Sequence, residues 1–362
     1  MNGAPSPLLA AFDRQVAWCR EPAPFTARVL QRSRDWLAGD AAAHSALSAV
    51  ADDPLAAAVP LRWAAALHHL ALRGLDPWAA HWPPAGAGLA ATDAALDGAI
   101  RAAWTRQPAL VHAALALPPQ TNEVQRSAAL LPGLLHVAAA TGLPLVLLEI
   151  GASAGLNLWC ERWRHDHGVW QWGPTGSPLT LRADWSGPPP AVAAAPLQIR
   201  RRAGCDAHPV DLAQPDEGLR LASFIWPEQR ERLARLHAAR TAAALWQAQE
   251  GVAVEALSAA AFVGRELRQP QPGVATVLMH SVVWQYIDAD EQAAITRCIE
   301  AAGRCAHAAA PLAWLRLEPP APDLGVQLVC RLWGAAGAAG EERLLARAHP
   351  HVAHIEWLGP AA

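Results

Sequence analysis

The stretch Leu145-Val146-Leu147-Leu148-Glu149-Ile150-Gly151-Ala152-Ser153-Ala154-Gly155-Leu156-Asn157 joins a short apolar run to a turn of small residues. The apolar run predicts a buried β-strand, and a helical apolar pattern begins again at Leu156. Gly151 and Gly155 can adopt backbone angles that are closed to other residues, which lets a ligand approach the main chain. Free N–H groups at the start of the helix would face that ligand.

Three interpretations of this turn are open. The pattern E-x-G-x-x-x-G-x-N resembles motif I of class I S-adenosylmethionine-dependent methyltransferases, in which an acidic residue and a glycine turn hold an adenosine-containing cofactor. The same letters spell G-x-S-x-G, the nucleophile elbow of α/β-hydrolases, with Ser153 as the nucleophile. The third interpretation is an ordinary tight turn between a strand and a helix.

Composition narrows the classes of protein that the chain can belong to. Its 362 residues are 52% hydrophobic and 17% charged, which is enough for a large core and a domain with a substantial subdomain. The net charge is −3, and no basic stripe indicates a nucleic-acid partner. All 29 basic residues are arginine, so a lysine Schiff base and a Walker A loop are excluded.

The cysteine pattern favours a cytoplasmic protein. Six cysteines are scattered along the chain without a C-x-x-C pair, so neither a zinc site nor a disulfide framework is expected. No signal pattern opens the sequence, and no apolar run is long enough to span a membrane. We therefore expect a soluble protein without a membrane partner.

Residues 1–117 predict an all-helical N-terminal subdomain. They are rich in Ala, Leu, Trp and Arg, and prolines divide them into short segments with helical apolar spacing. His68 and His69 suggest a ligand pair at first sight. Neighbouring residues on a helix do not face each other, so structural roles are expected for both.

A polar run, Pro118–Ser127, precedes the helix that leads into the first strand. Thr121 and Asn122 are candidates to cap that helix. Alternatively, its polar start faces the ligand site. In that case Arg126 would pair with a carboxylate, and Asn122 and Glu123 would contact the substrate.

Several stretches together resemble an uncharacterised bacterial family known as domain of unknown function 2332. Besides the polar run and the LLEIGASAGLN turn, they are RAGCD from Arg202, PVD from Pro209, WPEQR from Trp226, HSVVWQY from His280 and LAWLRLEP from Leu312. They cover nearly the whole chain. The family is similar in fold to class I methyltransferases, so the resemblance implies a Rossmann-like, mostly parallel sheet with an antiparallel last strand.

Residues 158–196 form a Trp-rich insertion that we expect to shape a substrate pocket. His165 and His167 hint at a metal, but no further ligand clusters with them, so a surface loop is expected there. His349, His351 and His354 are interpreted as part of a strand edge. We therefore predict no metal site.

Four more strands are predicted at 198–206, 252–256, 274–280 and 311–318, and the resemblance implies a closing antiparallel pair at 326–332 and 354–358. In this fold an acidic residue at the end of the second strand hydrogen-bonds the ribose, which favours Asp206, with Asp211 as the alternative. Either aspartate can instead cap a turn. The resemblance puts Glu255, at the end of the third strand, on the adenine side.

Two residues at strand ends are candidates for proton transfer. His280 ends the fourth strand and Glu318 ends the fifth, and ligands bind in this fold outside the carboxyl ends of the strands. Trp284 is a candidate for substrate binding, and Tyr286, the single tyrosine, is a candidate for catalysis. A structural role for His280 stays open.

The hydrolase interpretation lacks its usual context. Ser153, Asp323 and His349 or His351 occur in the right order along the chain. However, the residues before the turn predict helices where the earlier strands of a hydrolase sheet would lie. No HGGG-type oxyanion segment precedes the turn either.

We therefore predict an α/β, Rossmann-like methyltransferase domain over 118–362 that uses S-adenosylmethionine to methylate a small molecule. The predicted cofactor-binding residues are Glu149, Gly151, Ser153, Gly155, Asn157, Asp206, Glu255 and Arg126. His280 or Glu318 would remove a proton from an acceptor that must lose one. The non-enzymatic alternative is a protein that binds an adenosyl ligand without catalysis.

Overall fold

The computed structural model describes residues 6–190, 197–321 and 324–360, and the chain folds as two compact units. The first unit comprises Met1–Thr121 and Gln214–His237, and the second comprises Asn122–Ala213 and Ala238–Ala362. The boundary predicted after residue 117 lies close to the end of the first segment. The sequence did not predict that 214–237 belongs to the helical unit.

The first unit is built from helices. They are α1 (Pro7–Cys19), α2 (Pro24–Gly39), α3 (Ala41–Ser48), α4 (Val59–Leu72), α5 (Trp78–His81), α6 (Asp93–Arg106), α7 (Pro108–Ala116) and α9 (Pro215–Ser223). A proline lies in the first turn of α1, α2, α4, α7 and α9, where its missing N–H costs no helical hydrogen bond. These five prolines therefore mark helix starts.

Aromatic side chains and two histidines pack inside the first unit. The rings of Trp36, Trp63 and Trp104 lie 5.6–6.4 Å apart. His68 Nδ1 lies 3.2 Å from the carbonyl oxygen of Ser223, and burial lowers the pKa of His68 to about 4. His69 is hydrogen-bonded to the Asp216 carboxylate, 3.3 Å away. The two histidines thus contact opposite ends of α9, and both have the structural roles that were expected.

The second unit contains a nine-stranded sheet. Its strands are β1 (Leu145–Ile150), β5 (Asp184–Ser186), β6 (Ile199–Asp206), β7 (Val254–Ala256), β8 (Ala275–Ser281), β9 (Leu312–Glu318), β10 (Val326–Trp333), β11 (Ala339–Ala348) and β12 (His354–Trp357). Their order is β5-β12-β11-β10-β9-β8-β1-β6-β7. β1 is buried along its whole length, as its continuous apolar run predicts.

The pairing divides the sheet into a parallel and an antiparallel part. Strands β7, β6, β1, β8 and β9 are parallel, and β9 to β12 form an antiparallel meander. At the far edge β5 pairs in parallel with β12. The predicted strands at 326–332 and 354–358 correspond to β10 and β12. The prediction that they pair with each other is wrong, because β11 lies between them. β11 was not predicted, because charged and exposed residues such as Glu341 and Arg343 interrupt the apolar alternation by which a strand is recognised.

Helices cover both faces of this sheet. They are α8 (Ser127–Thr141), α11 (Ala259–Glu266) and α12 (Ala289–Cys305), and α10 (Arg230–Glu250) contains the boundary between the units. Val146, Leu148 and Ile150 of β1 pack with Phe262 of α11 and Ile295 of α12. Because side chains alternate along a strand, Glu149 lies on the other face, which α8 covers.

The Trp-rich insertion contains a small sheet of its own. Its strands β2 (Arg164–Asp166), β3 (Gln171–Trp172) and β4 (Thr180–Leu181) adjoin in the order β3-β2-β4. His165 and His167 are buried, with ring centroids 6.4 and 4.9 Å from that of Trp170. They lie inside an aromatic cluster, so the expected surface loop is wrong at this position. Residues 191–196 of the insertion lie outside the described part.

None of the helices in the described ranges has both the length and the apolar character needed to cross a lipid bilayer. Within the same ranges, His, Cys, Asp and Glu side chains do not gather in any group of three that could hold a metal ion.

Candidate functional site

The glycine turn lies at the carboxyl end of β1, where the order of the strands reverses. Gly151, Ser153 and Gly155 have φ values of 65°, 55° and 73°. A non-glycine residue with positive φ is uncommon, so Ser153 is held there by its neighbours. The turn runs into the predicted helix, Leu156–Arg162, which is a 3₁₀ helix and so tighter than an α-helix.

Asp206 closes this turn from the neighbouring strand. Its Oδ2 accepts a hydrogen bond from the backbone N–H of Ser153 over 2.8 Å. Its Oδ1 accepts another from the N–H of His208, also over 2.8 Å. Asp206 thus lies where the sequence predicts it, at the end of β6 beside the turn, and both of its oxygens bind backbone. The alternative, Asp211, accepts from the N–H of Ala213 and caps a separate turn.

Glu149 is buried beneath the turn. Burial is the largest cause, and it raises the pKa of the Glu149 carboxyl well above its ordinary value. A hydrogen bond from Asn157 and the positive charge of Arg126 act to lower this pKa, whereas the negative charge of Asp206 raises it further. Asn157 Oδ1 in turn accepts from the hydroxyl of Ser127, 2.9 Å away. Burial therefore favours the neutral form of Glu149, which lies in a hydrogen-bonded network on the α8 side of the sheet.

The polar run before α8 contacts the turn and the end of β8. Asn122 Oδ1 accepts from the backbone N–H of Leu156 over 2.9 Å. Asn122 therefore does not cap α8. It instead accepts a hydrogen bond from the N–H of Leu156, one of the backbone groups that we expected to face a ligand. Arg126 is buried, and its Nη1 donates to the carbonyl oxygen of Ser281 over 3.1 Å. Glu123 accepts from the N–H of Gln125 at the start of a 3₁₀ turn.

His280 and Glu318 lie on neighbouring parallel strands. His280 Nδ1 is 2.6 Å from Glu318 Oε1, and the indole N–H of Trp314 donates to His280 Nε2 over 3.1 Å. Because the indole can only donate, Nε2 accepts and Nδ1 carries the proton given to Glu318. The ring is fully buried and stacks on Trp284 at 5.1 Å. His280 therefore has no ring nitrogen available to take a proton from a substrate.

The sheet separates the two groups of predicted residues. Leu278 and Trp314 belong to the apolar cluster that faces α11 and α12, and His280 shares that face with them. Glu149 lies on the opposite face. Both groups of residues lie at the same edge of the sheet, as predicted. Because they lie on opposite faces of the sheet, they do not enclose a single pocket from one side.

Two predicted residues lie apart from both groups. Tyr286 is 76% exposed in a short 3₁₀ turn after β8. Glu255 is bound by both terminal nitrogens of Arg265, at 2.6 and 2.7 Å, and this ion pair lowers its pKa. Within the part of the chain that the structure describes, neither side chain is hydrogen-bonded to the glycine turn.

Val283 was not predicted as a site residue, and its side chain packs against Gly151 of the turn. A Cβ atom added to Gly151 would lie 2.8 Å from Cβ of Val283 and closer still to one of its methyl groups. The N–H of Val283 donates to Glu318 Oε1 over 3.1 Å. The preceding Val282 has φ 51°, which is strained for a β-branched residue. An apolar residue in a loop carries no sequence signal for this contact.

Gly155 is closely packed as well. A Cβ atom there would lie 3.0 Å from a methyl group of Val254 and 3.3 Å from the amide nitrogen of Gln247. That amide donates to the carbonyl oxygen of Ala154 over 2.8 Å. The glycine is thus needed for its positive φ and for the close approach of the neighbouring elements.

Within the described ranges, Ser153 is not part of a catalytic triad, which the hydrolase interpretation requires. The Ser153 hydroxyl is buried and has no hydrogen-bond partner in the described part of the chain. A serine nucleophile needs a base within hydrogen-bond reach. Asp323 lies outside the described residues. His349 is engaged elsewhere, since its Nδ1 accepts from the N–H of His351.

Comparison with known proteins identifies the family. No curated protein and no solved structure matches the chain. The model of the family described as "Uncharacterized protein conserved in bacteria (DUF2332)" matches residues 9–357, from within α1 to the end of β12. This match confirms the family resemblance of the sequence, and the chain belongs to the DUF2332 family of bacterial proteins.

Proposed function

We propose that this protein binds S-adenosylmethionine at the carboxyl edge of β1 and transfers a methyl group to a small molecule. The observation that carries the proposal is the position of the glycine turn. β1 has β6 and β7 on one side and β8 and β9 on the other, so the order of the strands reverses beside it. Open α/β sheets bind their ligands in the crevice at such a switch point.

Two buried polar atoms beside Gly151 support a ligand here. Glu149 Oε2 and Ser153 Oγ have no hydrogen-bond partner among the residues described. Buried polar groups are nearly always hydrogen-bonded, so a ligand with donors and acceptors at the turn would satisfy both. Each oxygen of Asp206 accepts a backbone hydrogen bond, and these two bonds hold the carboxylate beside the turn, where the proposed ribose would lie. These groups fit an adenosyl cofactor.

Val283 must leave Gly151 for that cofactor to reach the main chain. Its side chain fills the space in front of the glycine. The strained φ of Val282 lowers the cost of moving this loop, because the strain is released when the backbone changes conformation. We therefore propose that the segment Ser281–Val283 shifts when the cofactor binds.

The chain's own residues would mainly bind and align the reactants. The bound cofactor supplies an activated methyl group. Glu149 would hydrogen-bond the cofactor, and the neutral form that its burial favours would add no charge to the crevice. Because His280 is buried with both ring nitrogens engaged, the proposed acceptor is one that attacks without giving a proton to His280, such as an amine or a thiolate.

The same burial of His280 favours a second candidate, a protein that binds an adenosyl ligand without catalysis. The two candidates share the crevice and differ in turnover. Only a methyltransferase would convert S-adenosylmethionine to S-adenosylhomocysteine when supplied with mixtures of small amines and thiols.

Calorimetric titration tests the proposal. We expect heat of binding with S-adenosylmethionine or S-adenosylhomocysteine, and none with nicotinamide or flavin cofactors. Ser153→Ala should weaken binding by about 0.5–1.5 kcal/mol, the worth of one hydrogen bond. It should leave thermal stability unchanged, because the hydroxyl has no partner within the described chain. Binding of a nicotinamide or flavin alone would overturn the proposal.

A further inference from the structure

A second concave site lies within the second unit, between α12 and strands β9 to β11. It is an open groove of about 530 Å³ whose lining includes Trp284, Trp314, Arg297, Arg316, Arg331 and Glu342. Gly151 and Ser153 do not line it. The groove is therefore distinct from the crevice at the glycine turn.

Two of its arginines are held in place by their neighbours. The Arg316 guanidinium lies 4.5 Å from the ring centre of Trp314 and forms an ion pair with Glu342. The Arg331 guanidinium lies 4.7 Å from the ring centre of Trp333, and its Nε donates to the carbonyl oxygen of Gly340 over 2.7 Å. Stacked and hydrogen-bonded guanidinium groups lose little further entropy when they bind an anion.

The third arginine has no acidic partner in the ranges that the structure describes. Arg297 projects from α12 as an exposed side chain, and no described carboxylate forms an ion pair with it. The lining contains three arginines and one glutamate, and Glu300, from outside the lining, forms an ion pair with Arg331 over 3.3 Å. The Glu342 side chain is 58% exposed and is already paired with Arg316. Because Glu342 and Glu300 balance two of the arginines, the excess positive charge of the groove is that of Arg297, and it suits a carboxylate or a phosphate.

One wall of the groove is aromatic. Trp284 stacks one face of its ring on His280, at an interplanar angle of 19°, and is half-buried. The amide of Gln292 fixes the turn that carries it by donating to the Trp284 carbonyl oxygen over 2.8 Å. The Trp284 side chain also lines the groove, beside the ring of Trp314 with centroids 5.7 Å apart. A planar ring can stack there while an attached anion reaches the arginines.

We propose that this groove binds a small organic anion in which a planar aromatic ring carries a carboxylate or a phosphate. The indole of Trp284 receives the ring, and Arg297, with Arg316 and Arg331, binds the charged group. The proposal does not depend on S-adenosylmethionine, because none of these residues belongs to the glycine turn.

Calorimetry with four probes tests the chemistry of the groove. The probes are 4-hydroxybenzoate, adenosine monophosphate, inorganic phosphate and the neutral benzyl alcohol. We expect one or both of the aromatic anions to bind more tightly than inorganic phosphate and benzyl alcohol. Tighter binding of 4-hydroxybenzoate assigns the site to aromatic acids, and tighter binding of the nucleotide assigns it to nucleotides. Equal binding of benzyl alcohol, or no binding of either aromatic anion, overturns the proposal.

Matched variants locate the binding. Arg297→Gln should weaken the binding of the aromatic anion about fivefold to tenfold, since it removes one charge-assisted contact at an exposed position. Arg297→Lys should retain part of the affinity. Arg304→Gln, two turns further along α12 and outside the groove, should leave the affinity unchanged. Unchanged binding in Arg297→Gln, or an equal loss in Arg304→Gln, would contradict binding in this groove.

Discussion

The backbone N–H of Ser153 donates to Oδ2 of Asp206 over 2.8 Å, and this bond joins the end of β1 to the end of β6. The other oxygen of Asp206 accepts from the N–H of His208. One carboxylate therefore fixes the turn that carries the candidate site and the loop that follows the neighbouring strand. The acidic position predicted for a ribose contact also has a structural task.

Asp206→Asn should lower the free energy of unfolding by about 1–2 kcal/mol, because an amide can accept only one of the two N–H groups and leaves the other without a charged acceptor. Urea denaturation measures this change. Asp211→Asn is the matched control, since Asp211 is exposed and, among the described residues, accepts from the N–H of Ala213 alone. Equal losses in the two variants would contradict the role given to Asp206.

Glu149→Gln should become more stable relative to the natural protein as the pH rises. The folded state raises the pKa of Glu149 above its ordinary value of 4.5. A raised pKa gives stability that is fully present below the unfolded pKa and is lost as the pH rises through the folded pKa. Glutamine keeps the neutral shape and does not titrate, so it avoids this loss of about 1.4 kcal/mol per pH unit.

Urea denaturation at about pH 5 and about pH 8 checks the Glu149 prediction. Glu255→Gln is the control, because Arg265 lowers the pKa of Glu255 and that carboxylate stays charged over the whole range. A stability difference between Glu149→Gln and the natural protein that does not change with pH would show that Glu149 is charged in the folded protein.

Val282→Gly should change the free energy of unfolding little, whereas Val283→Gly should lower it by about 1–2 kcal/mol. Glycine at 282 releases left-handed strain worth roughly 1–2 kcal/mol, which offsets the backbone entropy that glycine adds. Val283 has φ −123°, so glycine there relieves nothing and removes the packing on Gly151. Thermal and urea denaturation of both variants check this, and a larger loss at 282 would refute the strain.

A fluorophosphonate probe should not label Ser153. Its hydroxyl has no base within hydrogen-bond distance in the part of the chain that the structure covers. Intact-protein mass spectrometry of the natural protein and of Ser153→Ala after exposure to the probe tests this. Labelling of the natural protein that disappears in Ser153→Ala would identify a serine hydrolase.

The sequence predicts the parallel strands better than the edge of the sheet. β1, β8 and β9 are buried on both faces, so their apolar runs are continuous and easy to recognise. β11 exposes charged side chains on most of its first positions, and its pattern resembles a loop. A helix was predicted after the glycine turn, and apolar spacing alone does not distinguish an α-helix from the 3₁₀ helix at Leu156–Arg162.

The candidate site was predicted by position but not by contact. Strand ends locate Glu149, Asp206, His280 and Glu318 at one edge, because parallel strands share a carboxyl edge. The partners of His280 lie 34 and 38 residues further along the chain, and no local pattern pairs them with it. The side of the sheet on which each residue lies depends on the alignment of strands that are distant in sequence.

Calorimetric titration of Val283→Ala with S-adenosylmethionine tests the proposed crevice most directly. Removing the methyl groups that cover Gly151 should tighten binding about threefold or more relative to the natural protein, because less of the binding energy is spent on moving the loop. Val329→Ala, a half-buried valine on β10, should bind as the natural protein does. No binding of S-adenosylmethionine by either the natural protein or Val283→Ala would contradict the account.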